Sequence, residues 1–164
     1  MPSAGDWTIH RGGALTFEGV KGVTVENCTL RRVDGNGISI NGYARNVSVL
    51  TSEFHFVGET AIALWGRTRQ GVGGGDVTLP AGVGIDGLGG DQPRGTVIMG
   101  NFVHEIGAFQ KQASAVFQAV ACETVIRENV FFNGPRALIN LNDQFGGGNE
   151  ISGNVMFNRY GWLW

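Results

Sequence analysis

Four side chains in this sequence could move protons or hold a negative charge: Lys111, Arg136, Asp143 and His104. Elimination on an acidic sugar needs a cation or an amide to neutralise the substrate carboxylate, and a base for the neighbouring proton. Lys111 is the first candidate for that base, with Arg136 and Arg94 expected nearby to lower its pKa toward working pH. Arg136 or Asn140 would hold the carboxylate, Arg136 in a two-pronged grip. Hydrolysis would use a carboxylate pair instead, drawn from Asp143 with Asp91 or Glu105. Ligation by His104, Glu105 and Asp143 lacks any recognisable metal-ligand spacing, so no metal is expected. The plain alternative is that Lys111 and Arg136 are solvated charges at corners of the chain.

These groups need a scaffold, and the sequence supplies one by repeating itself. Val23, Val25, Leu30, Val33, Ile38, Ile40 and Gly42 realign without a gap on Val47, Val49, Phe54, Val57, Ile62, Leu64 and Gly66. A period of about 24 residues means stacked units. The unit returns at 96–117, 124–141 and, in part, 149–157. Within each unit apolar residues alternate, as in Val23-x-Val25, Ile62-x-Leu64, Ala115-x-Phe117 and Ile139-x-Leu141, which is strand periodicity.

A small polar residue falls at one point of every unit. Cys28, Ser52, Asn101, Asn129 and Asn154 each stand three residues after Val25, Val49, Ile98, Ile126 and Ile151. In stacked units they would form a ladder whose amides bond the backbone and one another from rung to rung, because an isolated buried amide costs a few kcal/mol. If Ile38/Ile40, Ile62/Leu64, Ala115/Phe117 and Ile139/Leu141 point inward, alternation turns Asn41, Trp65, Gln118 and Asn142 outward in one column, with Asn140 beside it. An aromatic plate among amides suits a sugar chain, whose C–H faces stack on indole while its hydroxyls bond amides. An ordinary solvated β-face would look the same.

Three short strands per unit, joined by Gly, Asn and Asp corners, describe one coil of a right-handed parallel β-helix, and here the chain resembles the pectate-lyase-like superfamily. The second half is similar to a family of longer β-helix proteins of algae, invertebrates and bacteria that has no settled activity. The likeness is carried by His104-Glu105-Ile106-Gly107, by Phe132-Asn133-Gly134-Pro135-Arg136-Ala137 running on to Ile139-Asn140 and Asn142-Asp143, and by Phe145-Gly146-Gly147-Gly148-Asn149. Gln144 stands where that family usually has Gly. The resemblance implies a cleft on the strand face that carries the outward column, and an extracellular or cell-surface setting. Because the family continues past the position of Trp164, the chain reads as a fragment: one incomplete β-helix domain over 1–164, of about five coils spaced ~4.8 Å apart.

Composition fits this fold. Twenty-eight Gly and 16 % charged residues in 164 suit tight corners and strands, and 42 % hydrophobic residues exclude a disordered chain. A net charge of −2 with no Lys/Arg stripe excludes nucleic acid as a partner. No apolar run reaches the ~18 residues of a membrane span, and no signal-like start is present. Cys28 and Cys122 fall about three coils apart, too far to be bridged, and are expected to be buried or half-buried thiols. The repeat is interrupted at about 67–95 by a Gly-rich excursion expected to lie over one face. Its Gly82-x-Gly84-x-Asp86-x-Leu88 imitates one calcium-binding nonapeptide, but a single copy cannot complete the coordination shell, so calcium is only a weak expectation and no other cofactor is implied.

Function is therefore bounded to a polysaccharide-interacting β-helix: a lyase, epimerase or hydrolase using the external groove, or a non-catalytic carbohydrate-binding or structural surface protein. Fold alone does not choose among them.

Overall fold

The computed structural model describes residues 7–8, 10–67, 90–142 and 146–159. The chain winds into five coils of parallel strands. The first holds β1 (Gly13–Lys21), β2 (Thr24–Glu26) and β3 (Thr29–Val33). The second holds β4 (Asn36–Arg45), β5 (Ser48–Leu50) and β6 (Glu53–Val57). The third holds β7 (Ile62–Trp65), β8 (Pro93–Arg94), β9 (Val97–Met99) and β10 (Phe102–Ile106). β11 (Val116–Ala119), β12 (Val125–Arg127) and β13 (Val130–Phe132) form the fourth. The fifth is β14 (Ile139–Asn142), β15 (Glu150–Ser152) and β16 (Val155–Phe157).

Equivalent strands stack into three sheets. Sheet I runs β1-β4-β7-β11-β14 with β8 also on β4, sheet II runs β2-β5-β9-β12-β15, and sheet III runs β3-β6-β10-β13-β16. The residue files expected from the repeat are in register: Val25, Val49, Ile98, Ile126 and Ile151 in sheet II, and Leu30, Phe54, Val103, Phe131 and Met156 in sheet III. Their middle members are fully buried, whereas Ile151 and Met156 of the fifth coil are exposed. Each buried Leu, Ile or Phe contributes about 1.5–3 kcal/mol by leaving water.

The corners have a period of their own. Left-handed backbone recurs every five residues, at 22, 27 and 32, then 46, 51 and 56, then 95, 100 and 105, then 123, 128 and 133, and finally 148, 153 and 158. Three residues of strand and one left-handed residue turn the chain through each corner while its N–H keeps pointing along the stack. Thus the amides of Asn27, Thr51, Gly100 and Glu128 donate to Leu50, Met99, Arg127 and Ser152 of the next coil at 3.0–3.3 Å. Five of the fifteen positions are Gly and four are Asn, the residues that adopt this conformation at least cost. Thr51, at φ 43°, is β-branched and is held there by the coils above and below.

Inside the corner between sheets II and III, backbone amides bond the small polar file. Cys28 N donates to Ser52 Oγ (3.1 Å), Ser52 N to Asn101 Oδ1 (3.0 Å), Asn101 N to Asn129 Oδ1 (2.9 Å) and Asn129 N to Asn154 Oδ1 (3.0 Å). The amide nitrogens of Asn101, Asn129 and Asn154 donate to the carbonyls of Val49, Ile98 and Ile126. Cys28 and Cys122 are free; Cys28 is exposed, contrary to expectation, because among the described residues no rung covers the outer side of the first coil.

The excursion splits the sheet I rung of the third coil. The long strand β4 pairs with β7 through Ile38–Asn41 and with β8 through Ala44–Arg45, so the ladder resumes at Pro93. Arg67 N donates to Asp91 O at 2.7 Å, and the Arg67 guanidinium bridges Glu18 (2.7 Å) and Asp91 (3.3 Å). Gly66 is required at this exit, since a Cβ there would stand 1.8 Å from the Val120 carbonyl oxygen. Most of the Gly-rich segment, with Gly82 to Leu88 and its calcium-like spacing, lies outside the described residues.

Candidate functional site

Alternation along sheet I turns Ile38, Ile40, Ile62 and Leu64 into the core and Ser39, Asn41, Ala63 and Trp65 outward. The fourth coil differs from the sequence reading. Val116 and Gln118 pair with Ile62 and Leu64, so Phe117 and Ala119 face outward beside Ala63 and Trp65. Gln118 therefore does not belong to the outer column; Ala119 takes that place, between Trp65 and Asn142. The cause is a shift of one residue in matching Ala115-x-Phe117 to Ile62-x-Leu64, which exchanges every face. Gln118 is buried and donates from Nε2 to Ala121 O (2.8 Å) and Asn149 Oδ1 (3.3 Å).

Phe117 can face outward because the N-terminal segment covers it. Residues 7–8 and 10–12 lie as a strap across the outer face of sheet I. Asn36 Nδ2 donates to His10 O (2.8 Å) and Gly12 O (2.9 Å), and Arg11 O accepts from both Ser39 Oγ (3.0 Å) and Asn41 Nδ2 (2.7 Å). Thr8 N donates to Gln112 O at 3.3 Å. The Trp7 ring lies 6.3 Å from Phe117, under the Arg136 guanidinium at 3.9 Å, while the Arg11 guanidinium sits 4.8 Å over Trp65. Trp65 and Phe117 themselves pack at 4.5 Å. The expected open groove is thus filled: Asn41 and Trp65 are each only 6 % exposed.

The strap is also pinned by a contact between an imidazole and a buried carboxyl. His10 Nδ1 stands 3.3 Å from Glu59 Oε2, and Glu59 is completely buried rather than lining a groove. Burial pushes the Glu59 carboxyl up from its ordinary value, and the His10 imidazole works against that rise. Gly12 and Gly35 make room for the imidazole, since a Cβ at either would come within 2.9 and 3.2 Å of it. Beneath the strap, Trp65 Nε1, Asn140 Nδ2 and Thr8 Oγ1 are buried without a hydrogen-bond partner among the described residues.

Of the proton-handling candidates, His104 lies on sheet III, apart from Lys111 and Arg136. Lys111 Nζ donates to Gly107 O (2.8 Å) and Ala108 O (3.1 Å) at the corner between sheets III and I. Arg136 lies near that corner, on the Trp7 ring. Arg94 is not beside Lys111: it is taken up by Glu123 in a two-pronged bond of 2.8 and 2.7 Å, at the opposite edge of sheet I. Asp143 lies outside the described residues. His104 faces outward from sheet III.

There it belongs to a feature the sequence reading missed. Residues three places after the small polar file, Arg31, His55, His104, Phe132 and Phe157, line up on the outer face of sheet III. Their rings stack nearly parallel: His55 on His104 at 5.3 Å, His104 on Phe132 at 4.9 Å and Phe132 on Phe157 at 4.8 Å. His104 Nδ1 bonds the Glu105 carboxylate and Nε2 faces Glu53 at 3.3 Å. Burial works to raise the Glu105 carboxyl, but the Asn133 amide and His104 outweigh it and hold the group below its ordinary value. The alignment that revealed the polar file could have revealed this one, had it been extended three positions. Stacked rings hide their faces and show only edges, so the file offers no plate for a sugar.

Among the described residues no group of three His, Cys, Asp or Glu is placed to hold a metal ion, and no helix is long and apolar enough to cross a membrane. No curated protein and no solved structure matches the chain. A family model described as right handed beta helix region matches residues 6–160. With its five stacked coils and three parallel sheets, the chain belongs to the right-handed β-helix family.

Proposed function

We propose that this protein binds polysaccharide, with an extended glycan laid across the rungs of sheet I. One observation supports the reading: that face already holds a stretch of polymer, the chain's own residues 7–8 and 10–12, by side-chain bonds to its carbonyls, by the Arg11 guanidinium over Trp65 and by the Trp7 ring tilted against Phe117. A glycan would use the same contacts, with hydroxyls bonding Ser39, Asn41, Asn140 and Asn142 and a ring face on Trp65. The function is recognition rather than turnover, because Lys111, Arg136 and His104 are spread over two faces and Lys111 is tied to backbone carbonyls. Affinity electrophoresis through a panel of neutral and acidic polysaccharides tests this. Retardation by at least one glycan, reduced in Trp65→Ala and Asn140→Ala, supports it; equal mobility in every gel removes it.

A second, enzymatic reading is favoured by Glu53–His104–Glu105, an imidazole with a carboxylate at each nitrogen, as an acid–base group needs. It predicts glycan cleavage or epimerisation that His104→Ala abolishes without weakening retention.

A further inference from the structure

The geometry points to the segment described at residues 7–8 and 10–12 as an autoinhibitory strap: a built-in occupant of the sheet I face that must swing away before an extended ligand can take its place. The identity of the competitor as a glycan rests on the reading above; the opening itself does not.

Three features separate the strap from an ordinary packed segment. Among the described residues it belongs to no strand ladder, and Asn36, Ser39 and Asn41 hold its carbonyls by side-chain donations rather than by backbone pairing. Segments held in this way open locally at far lower cost than the core. It also fits its bed incompletely. Trp65 Nε1 under Arg11 and Asn140 Nδ2 beside Phe117 are buried and receive no acceptor among the described residues, and a permanent cover would normally satisfy such donors. A ligand carrying hydroxyl or carboxylate oxygens would satisfy them. Finally, the contacts that hold it are concentrated on three side chains: Trp7 under Arg136, His10 against buried Glu59, and Arg11 over Trp65. These release together once the segment lifts.

If the closed state dominates, apparent affinity falls in proportion to the open fraction, so freeing the strap tightens binding and locking it weakens binding. Thr8 and Gln112, joined through their backbones, allow a reversible lock. In a Cys28→Ser, Cys122→Ser background, Thr8→Cys with Gln112→Cys would be oxidised or reduced and compared with Trp7→Ala in the full chain. Two quantities are read: exchange of the backbone amide at position 8, and retention on the glycan that retards the wild type most. The inference expects oxidation to slow exchange at position 8 and weaken retention at least tenfold, reduction to restore both, and Trp7→Ala to raise both at least tenfold. Retention that ignores the lock while glycan still binds overturns the strap but leaves the binding reading intact. A Thr8 amide exchanging as slowly as Ile98 in the wild type and in Trp7→Ala overturns it with no glycan present. Fast, lock-sensitive exchange with no retention by any variant supports the strap and removes the glycan reading.

Discussion

His10 Nδ1 and Glu59 Oε2 lie 3.3 Å apart, one side chain half exposed on a strap and the other fully enclosed in the corner between sheets III and I. Because burial lifts the Glu59 carboxyl above its ordinary value, the folded state holds this proton more tightly than the unfolded chain does. The stability so gained is complete below the unfolded value of about 4.3 and is lost as pH rises through the folded value. Glu59→Gln removes that loss. Its melting temperature is expected to exceed the wild type's at pH 7, and the gap should close as the pH falls to 4.

The opposite sign is expected at Glu105. Its carboxyl is held low against the effect of burial by Asn133 and His104, so its contribution is present above the ordinary value and disappears as pH falls through the folded one. Asn133→Gly keeps the left-handed corner accessible but removes the amide. Urea unfolding should show a loss of about 1 kcal/mol at pH 7, shrinking toward zero in acid.

Asn129 is fully buried and serves both neighbours: its Oδ1 accepts from Asn101 N and its Nδ2 donates to Ile98 O. Asn129→Leu leaves those groups without partners. At about 1–3 kcal/mol for each buried orphan, the variant should lose several degrees in thermal unfolding, while Asn154→Leu in the outermost rung loses less.

Gly66→Ala would press a methyl into the Val120 carbonyl, with its Cβ only 1.8 Å from the oxygen. Backbone cannot yield there without breaking the bond from Gly66 N to Ala119 O. A cost of about 3 kcal/mol, at the top of the ordinary range for overpacking, should appear as lowered soluble yield and a lower denaturation midpoint.

His104→Ala interrupts the ring file between His55 and Phe132 and leaves Glu53 and Glu105 facing each other. The stacking alone is worth about 0.5–1.5 kcal/mol. Stability should fall by that order while glycan retention stays at the wild-type level, since the residue faces away from sheet I.

The stacking of coils was readable because Val25, Val49, Ile98, Ile126 and Ile151 are β-branched residues in one register, and a vertical file needs the same shape on every rung. The corners were only half readable. Gly22 and Asn46 announce a left-handed turn, but Arg32, Phe56 and Glu128 occupy the same positions with no local sign, held there by the rungs on either side. The outer face of sheet I misled for a related reason. Phe117 reads as an inward residue by its apolar side chain alone, and only the arrival of Trp7, about 110 positions away in sequence, makes an outward phenylalanine comfortable. A strap that touches its bed through isolated side-chain bonds leaves no period to detect.

The rung of the third coil is spliced. Strand β4 runs unbroken beneath both β7 and β8, and Arg67 and Asp91 fasten the two cut ends together. The axial rise of the molecule is consequently indifferent to how many residues are threaded between those ends. Such a socket lets evolution, or an engineer, exchange whole cassettes between Arg67 and Asp91 while the ladder of β4 with β7 and β8 keeps its register.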